Sequence, residues 1–186
     1  MCIIQAGANQ VVHRRIHDGK VLVLGMLEVL YLGQQHAGVG HDRAAEPIVG
    51  VGGLRGHEIV GVDVSPDKVA MVAAGRTPIV EERIGDLIAE VVASGRLRAT
   101  TSAADAVAAT DVALVCVGTP SDFSGGISTQ YLERVAEEIG EAIGALDGRR
   151  YTVILRSTML PGTCEERVVP LLEKASGLRA GQDFGV

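Results

Sequence analysis

The stretch over residues 56–68, GHEIVGVDVSPDK, constrains the fold of this chain more than any other. It has the pattern of a short buried strand that ends on a carboxylate, that of Asp63, and is followed at once by a helix. Four of the six residues 59–64 are aliphatic and form a nearly continuous apolar run, which is typical of a parallel strand covered on both faces. Ser65 is a favourable N-cap, and Pro66 suits the first position of a helix. The stretch therefore predicts a strand–helix unit of a parallel α/β sheet.

The position of Asp63 indicates a particular kind of ligand. In folds that bind dinucleotides, an acidic residue at the end of the second strand accepts hydrogen bonds from the adenosine ribose hydroxyls. A carboxylate there also repels a ribose 2′-phosphate, so the pattern favours NAD over NADP. An Asp that merely ends a strand would give the same local pattern, so this position by itself leaves both interpretations open.

Composition excludes several classes of protein. Of the 186 residues, 47% are hydrophobic and 22% are charged, which is typical of a globular chain. The net charge of −6 and an aromatic content of only 3% argue against a nucleic-acid partner. The three cysteines form no CxxC pair and no metal-ligand spacing, so we predict cytoplasmic free thiols and no metal site.

One apolar run near the start of the chain could be mistaken for a membrane segment. It extends from Val21 to Gly33, but Glu28 interrupts it and it is too short to cross a bilayer. We therefore predict no membrane partner.

From residue 56 onward, candidate strands alternate with candidate helices. The further strands are predicted over residues 97–100, 112–117 and 151–155. The helices are predicted over residues 65–74, 82–94, 102–109 and 129–146, and a last one is predicted to open on a capping box over residues 163–166. The last three residues look like the start of another strand. This alternation predicts an α/β fold, a Rossmann-like doubly wound parallel sheet that is incomplete at both ends.

Three of the predicted strands end in polar residues, which are Asp63, Thr119 and Thr158. Ligands of open parallel sheets lie outside the carboxyl ends of the strands, where these side chains should meet. Ser157 offers a further hydroxyl in the same place. Each hydroxyl could instead serve only a turn or a cap, but the agreement of three strand ends favours a binding site.

Residues 1–55 do not continue this pattern, so we divide the chain into an atypical N-terminal segment, 1–55, and a partial NAD-binding domain, 56–186. No glycine cluster in the first segment forms a sound GxGxxG between a strand and a helix, about 20 residues before the acid. The best substitute for the missing first strand is Val21–Leu24. We predict that it lies between the Asp63 strand and the strand that begins at Val112, with residues 26–35 as its helix.

Several motifs in order carry a family resemblance: GHEIVGVDVSPDK, TPIVEE, CVGTPS, RSTMLPGT and AGQDFGV. This series resembles the UDP-glucose/GDP-mannose dehydrogenase family, and its GDP-mannose 6-dehydrogenase branch most. The resemblance covers the chain from Gly56 to Val186.

The resemblance implies both an activity and a set of site residues. Members of the family use NAD to oxidise the C6 alcohol of a sugar nucleotide, GDP-mannose or UDP-glucose, to a carboxylate. Asp63 would hold the adenosine ribose, with Lys68 beside it. Thr119 and Thr158 would contact the cofactor from the later strand ends.

The chain also departs from the family pattern. The family's opening GLGYVG is absent, since GHDRAA stands at residues 40–45 where it should begin. The catalytic cysteine of the family has no counterpart here, so we predict no catalytic residue, and we interpret the chain as a fragment that is inactive alone.

Three alternatives to a GDP-mannose type stay open. They are a UDP-glucose-type fragment, a complete one-domain oxidoreductase, which would need a Tyr–Lys pair or a His base, and a non-catalytic remnant that binds a nucleotide or a partner. The oligomeric state is left open.

Overall fold

The computed structural model describes residues 20–24, 56–77, 84–120 and 127–186. These residues form a parallel sheet of five strands in the order β3-β2-β1-β4-β5. The strands are β1 (Lys20–Leu24), β2 (Glu58–Val62), β3 (Leu97–Thr100), β4 (Val112–Val115) and β5 (Thr152–Leu155). The helices are α1 (Pro66–Ala73), α2 (Ile84–Ala93), α3 (Ala103–Ala108), α4 (Gln130–Gly144) and α5 (Val169–Ser176), with a π-helical turn (Cys164–Val168) directly before α5.

The first strand lies at the centre of the sheet. It pairs with β2 on one side, where Leu22 faces Val60, and with β4 on the other, where Leu22 faces Ala113. The prediction that Val21–Leu24 fills the slot between these two strands is confirmed. The helix predicted over residues 26–35 lies outside the described residues.

Polar contacts fix the register of β1 at its first residue. The Lys20 ammonium lies 2.8 Å from a carboxylate oxygen of Glu58, its partner in the β2 register. On the β4 side, the Lys20 amide donates to the Asp111 carboxylate and the Asp111 amide donates to the Lys20 carbonyl, at 3.3 and 2.9 Å. A slip of one residue would turn every side chain of β1 to the opposite face of the sheet. These contacts therefore help to keep each apolar side chain of β1 in its own core.

The sheet is covered on both faces, as a doubly wound fold requires. One apolar core joins the sheet to α3, α4 and α5, and the other joins it to α1 and α2. The side chains of β1 alternate between them, since Leu22 and Leu24 enter the first core and Val23 enters the second. The predicted fold class is therefore confirmed, and the central strand belongs to both cores.

The predicted element bounds agree with the structure within a few residues, but the capping box is wrong. Thr163 has helical dihedral angles, φ −56° and ψ −37°, and its side chain makes no capping hydrogen bond. A capping residue needs extended backbone, so Thr163 already belongs to the helical segment. The chain turns one residue earlier, at Gly162, where φ is +88°, a value that favours glycine.

The last residues pair with the outer side of β5, as the sequence predicted. The Gly185 amide donates to the Tyr151 carbonyl at 2.9 Å, and the Val153 amide donates to the Gly185 carbonyl at 2.8 Å. Phe184 is fully buried in the first core. This parallel bridge occupies the sixth position of the sheet.

At the opposite edge from the strand ends, a buried hydroxyl pair joins the residues that precede β4 and β5. The Thr110 hydroxyl donates to the Ala106 carbonyl at 2.8 Å, so the Tyr151 hydroxyl donates to Thr110 across 2.7 Å. Burial raises the pKa of the Tyr151 phenol well above its usual range, so the phenol stays neutral.

We expect the removal of either hydroxyl group of this pair to lower the free energy of unfolding by a different amount. Tyr151→Phe deletes one hydrogen bond and should lower the free energy of unfolding by about 0.5–1.5 kcal/mol. Thr110→Val leaves the phenol hydroxyl buried without an acceptor and should cost about 1–3 kcal/mol. Urea denaturation of both variants measures the difference, and a larger loss in Tyr151→Phe would contradict the donor assignment.

Within the described residues, the helices are all too short or too polar to cross a membrane.

Candidate functional site

The predicted site residues lie at the carboxyl edge of the sheet. Asp63 directly follows β2, and Lys68 lies in the first turns of α1. Thr119 follows β4, and Thr158 follows β5. Because all strands are parallel, these ends share one edge, on the two sides of β1 where the strand order reverses. Open α/β sheets bind their ligands at such a reversal.

Asp63 and Lys68 form the first pair. One Asp63 carboxylate oxygen accepts the Ser65 amide at 2.9 Å, and the other lies 3.9 Å from the Lys68 ammonium. The Asp63 side chain is 9% exposed, whereas that of Lys68 is 42% exposed. An Asp that bonds an amide two residues on makes a local turn, which fixes the carboxylate. The pair therefore presents an oriented anion beside a more accessible cation.

Ser65 has a different role from the one expected. It stands at the N-cap position of α1, but its hydroxyl makes no capping bond. Its amide binds Asp63 instead, so the residue fixes the site rather than the helix end.

Thr119 and Thr158 form the second pair. The Thr119 hydroxyl donates its proton to the Thr158 carbonyl at 2.8 Å, so it can only accept a hydrogen bond from a ligand. This bond joins the segments that follow β4 and β5. The side chain of Thr158 belongs to an exposed residue. The structure thus brings the predicted residues together as two pairs, one on each side of β1.

A polar cluster that the sequence analysis missed fixes the rim of this edge. The Thr129 hydroxyl donates to the Glu133 carboxylate at 2.7 Å, and Arg167 of the π-helical turn donates to the same oxygen at 2.9 Å. The hydrogen bond from Thr129, and then Arg167, lower the pKa of Glu133. The spacing of Thr129 and Glu133 by four residues was visible in the sequence, but the contribution of Arg167 depends on the packing of α4 against the turn.

The described cysteines are not available for chemistry at this edge. Cys116 is 1% exposed, and Cys164 is 3% exposed. Both side chains are enclosed within the protein, so both suit a role in packing.

The groups at this edge fit the adenosine end of a dinucleotide. A fixed carboxylate at the end of the second strand is the group that accepts ribose hydroxyls in such folds, and an ammonium lies beside it. The glycine-containing segments before residue 56 and the loop over residues 121–126 lie outside the described residues.

The comparison with sequence families decides what kind of domain this is. Residues 47–186 match the NAD binding domain of the UDP-glucose/GDP-mannose dehydrogenase family. The chain belongs to this family.

Curated members of the family show what share of a full-length relative the chain covers. It is 49% identical over 132 residues to the GDP-mannose 6-dehydrogenase of Azotobacter vinelandii, which covers 71% of this chain and 30% of that relative. The chain therefore spans about a third of the length of the relatives it matches.

Two solved structures of the family share the fold. A ternary complex of GDP-mannose dehydrogenase from Pseudomonas aeruginosa superimposes with a TM-score of 0.78 at 39% identity, over 90% of this chain and 35% of that one. A UDP-glucose dehydrogenase from Pyrobaculum islandicum gives a TM-score of 0.72 at 34% identity, over 92% and 35%.

Proposed function

We propose that this chain binds NAD at the carboxyl edge of its sheet, as the cofactor-binding part of a GDP-mannose 6-dehydrogenase-like oxidoreductase. The observation that carries the proposal is the oriented carboxylate of Asp63 at the end of β2, beside a central position that β1 fills. The oxidation of a sugar-nucleotide alcohol would belong to the whole enzyme, of which this chain has the length of about a third.

The two pairs of residues would divide the cofactor between them. Asp63 would accept the hydroxyls of the adenosine ribose, and Lys68 would stand beside the same sugar. Thr119 and Thr158, on the other side of β1, would face the nicotinamide half. NAD⁺ supplies a hydride acceptor when it is bound, and the contribution of this chain is to hold and orient it.

The degree of similarity to solved structures favours the GDP-mannose type over the UDP-glucose type. The solved GDP-mannose dehydrogenase has both the higher TM-score, 0.78 against 0.72, and the higher identity, 39% against 34%.

We further propose that the protein is cytoplasmic and that, like its GDP-mannose relatives, it belongs to an enzyme that supplies a sugar acid for alginate. We also propose that the chain divides into an atypical N-terminal segment, 1–55, and a partial NAD-binding domain, 56–186, and that it is a fragment of the whole enzyme.

Calorimetric titration of the purified chain with NAD⁺ tests the proposal. We expect saturable binding that weakens about 10- to 100-fold in Asp63→Ala, because a hydrogen bond to a charged group contributes about 1.5–3 kcal/mol. NADP⁺ should bind far more weakly than NAD⁺ to the unmodified chain.

Asp67→Ala is the matched control, since Asp67 is an exposed acid four residues further on, in the first turn of α1. It should leave NAD⁺ affinity unchanged. Equal affinity of the unmodified chain and Asp63→Ala would contradict the assigned site. A folded chain that does not bind NAD⁺ at all would favour a non-catalytic remnant.

A further inference from the structure

We propose that Arg167 is a positioning residue for the NAD site and that it acts through its ion pair with Glu133. The segments that this ion pair holds together carry the second pair of the site, Thr119 and Thr158. The inference rests on the proposed function, in which these two threonines face the nicotinamide half of the cofactor. Arg167 acts through the segments that it joins, without touching the cofactor itself.

The two threonines lie beyond the hydrogen-bond ladder of the sheet. The Arg156 amide donates to the Val115 carbonyl of β4 at 2.8 Å, and Thr158 follows two residues later. The Thr119 hydroxyl then donates to the Thr158 carbonyl at 2.8 Å, in an exposed hydrogen bond. Because water competes for both groups of an exposed bond, the geometry of this one depends on how firmly the two segments are held by other contacts.

Three short segments at the carboxyl edge form a closed ring of contacts. They are the residues after β4, 119–120, the residues that open α4, 128–133, and the residues from the end of β5 to the π-helical turn, 158–167. The Ser128 amide donates to the Pro120 carbonyl at 2.8 Å, which joins the first segment to the second. The Arg167 guanidinium donates to the Glu133 carboxylate at 2.9 Å, which joins the second to the third. The bond between the two threonines closes the ring.

The ion pair is oriented but exposed. One carboxylate oxygen of Glu133 accepts both the Thr129 hydroxyl, at 2.7 Å, and the Arg167 guanidinium. The side chains of Arg167 and Glu133 are 62% and 32% exposed, and ion pairs at the surface contribute little to global stability. A variant of Arg167 should therefore stay folded, and its effect should be confined to the position of the segments that the ion pair joins.

The rest of the π-helical turn is held by packing. Cys164 and Val168 are buried, and the Val169 amide donates to the Cys164 carbonyl. Such turns are rare and occur frequently at functional sites. Here the turn brings Arg167 onto the neighbouring helix α4, and the buried residues should keep the turn in place when the charge is removed.

Arg167→Gln tests the inference by calorimetric titration of the purified chain. The variant should bind NAD⁺ about 2- to 5-fold more weakly, the effect of one exposed ion pair. Its affinity for ADP, which lacks the nicotinamide half, should stay unchanged, whereas a general loss of structure would weaken both ligands. Arg167→Lys keeps the charge and should retain most of the affinity for NAD⁺.

The Thr119→Val background shows whether Arg167 acts through the threonine pair. Thr119→Val removes the bond that closes the ring, so adding Arg167→Gln should weaken NAD⁺ binding no further. Residues that act through one network give non-additive effects of this kind. Fully additive losses would show that Arg167 acts by another route and would overturn the inference.

Arg134→Gln is the matched control. Arg134 also forms an ion pair with a glutamate of α4, since its Nε lies 3.1 Å from the Glu138 carboxylate, but both residues belong to the same helix. This ion pair joins no other segment to α4. The variant should therefore keep the affinity of the parent for NAD⁺ and for ADP.

Amide chemical shifts of the ¹⁵N-labelled chain without ligand separate this inference from the proposed function. Arg167→Gln should move the amides of Thr119 and Thr158 and leave those of Asp63 and Ser65 unchanged. Unmoved threonine amides, an unchanged NAD⁺ affinity or an equal loss for ADP and NAD⁺ would each overturn the inference. A parent chain that binds no NAD⁺ would refute the proposed function itself, a result distinct from a variant that binds as tightly as its parent.

Discussion

Replacing Leu22 by Ala is expected to lower the free energy of unfolding by about 2–5 kcal/mol, the usual loss when a large buried aliphatic side chain is truncated in a packed core. Leu22 is fully buried in the central strand. It pairs with Val60 on one side and Ala113 on the other, and its side chain packs in the core shared with α4. A cavity there would touch both halves of the sheet. Urea denaturation followed by circular dichroism gives the value.

Lys20→Ala in the same strand is the control for Leu22. Its side chain is 53% exposed and pairs with Glu58 at the surface, so the substitution should cost no more than about 1 kcal/mol. If both variants unfold within about 0.5 kcal/mol of the parent, the typical range for surface substitutions, then residues 20–24 do not form the central strand. That result would remove the basis for the carboxyl-edge site.

Gly140→Ala is expected to destabilise the chain by about 1–3 kcal/mol, the usual cost of overpacking. A Cβ atom at this position in α4 would come within 2.7 Å of the Ala175 Cβ and 3.0 Å of the Leu172 carbonyl oxygen. Gly144, one turn later, meets the Ser176 carbonyl oxygen at 2.6 Å in the same way. These glycines let α4 and α5 approach closely, so an added methyl group must push the helices apart.

Gly85→Ala is the control, for which no loss of stability is expected. Gly85 lies in α2, and among the described residues a Cβ there would meet only a Thr77 methyl group, at 4.0 Å. Alanine is favoured over glycine within helices by up to about 1 kcal/mol, so this variant should be neutral or more stable. Thermal unfolding of both variants compares them directly. An equal gain in stability for Gly140→Ala would show that α4 and α5 are not in close contact.

Features set by neighbouring residues could be predicted from the sequence. The strand–helix unit that carries Asp63 depends on a few adjacent residues, and so does the cap of α3, where the Ser102 hydroxyl accepts the Asp105 amide at 3.1 Å. The place of β1 could be predicted because the sheet needs a central strand and Val21–Leu24 was the best available segment. Each of these follows from local pattern or from topology.

Features set by packing could not be predicted. The prediction of a capping box was wrong because the chain turns at Gly162, so that Thr163 already has helical dihedral angles. The spacing of Gly140 and Gly144 was visible, but a glycine within a helix has no evident purpose until α5 is placed against it. A threonine at a strand end offers a hydroxyl, but the sequence does not say that Thr119 donates it to the Thr158 carbonyl.

The most direct test of the central claim is a titration of the ¹⁵N-labelled chain with NAD⁺, followed by the amide chemical shifts. We expect the shift changes to concentrate at the carboxyl edge, on the amides of Asp63, Ser65, Thr119 and Thr158, and to leave the amino edge at Lys20 unchanged. Changes confined to the amino edge, or a folded spectrum that NAD⁺ does not alter, would contradict the account.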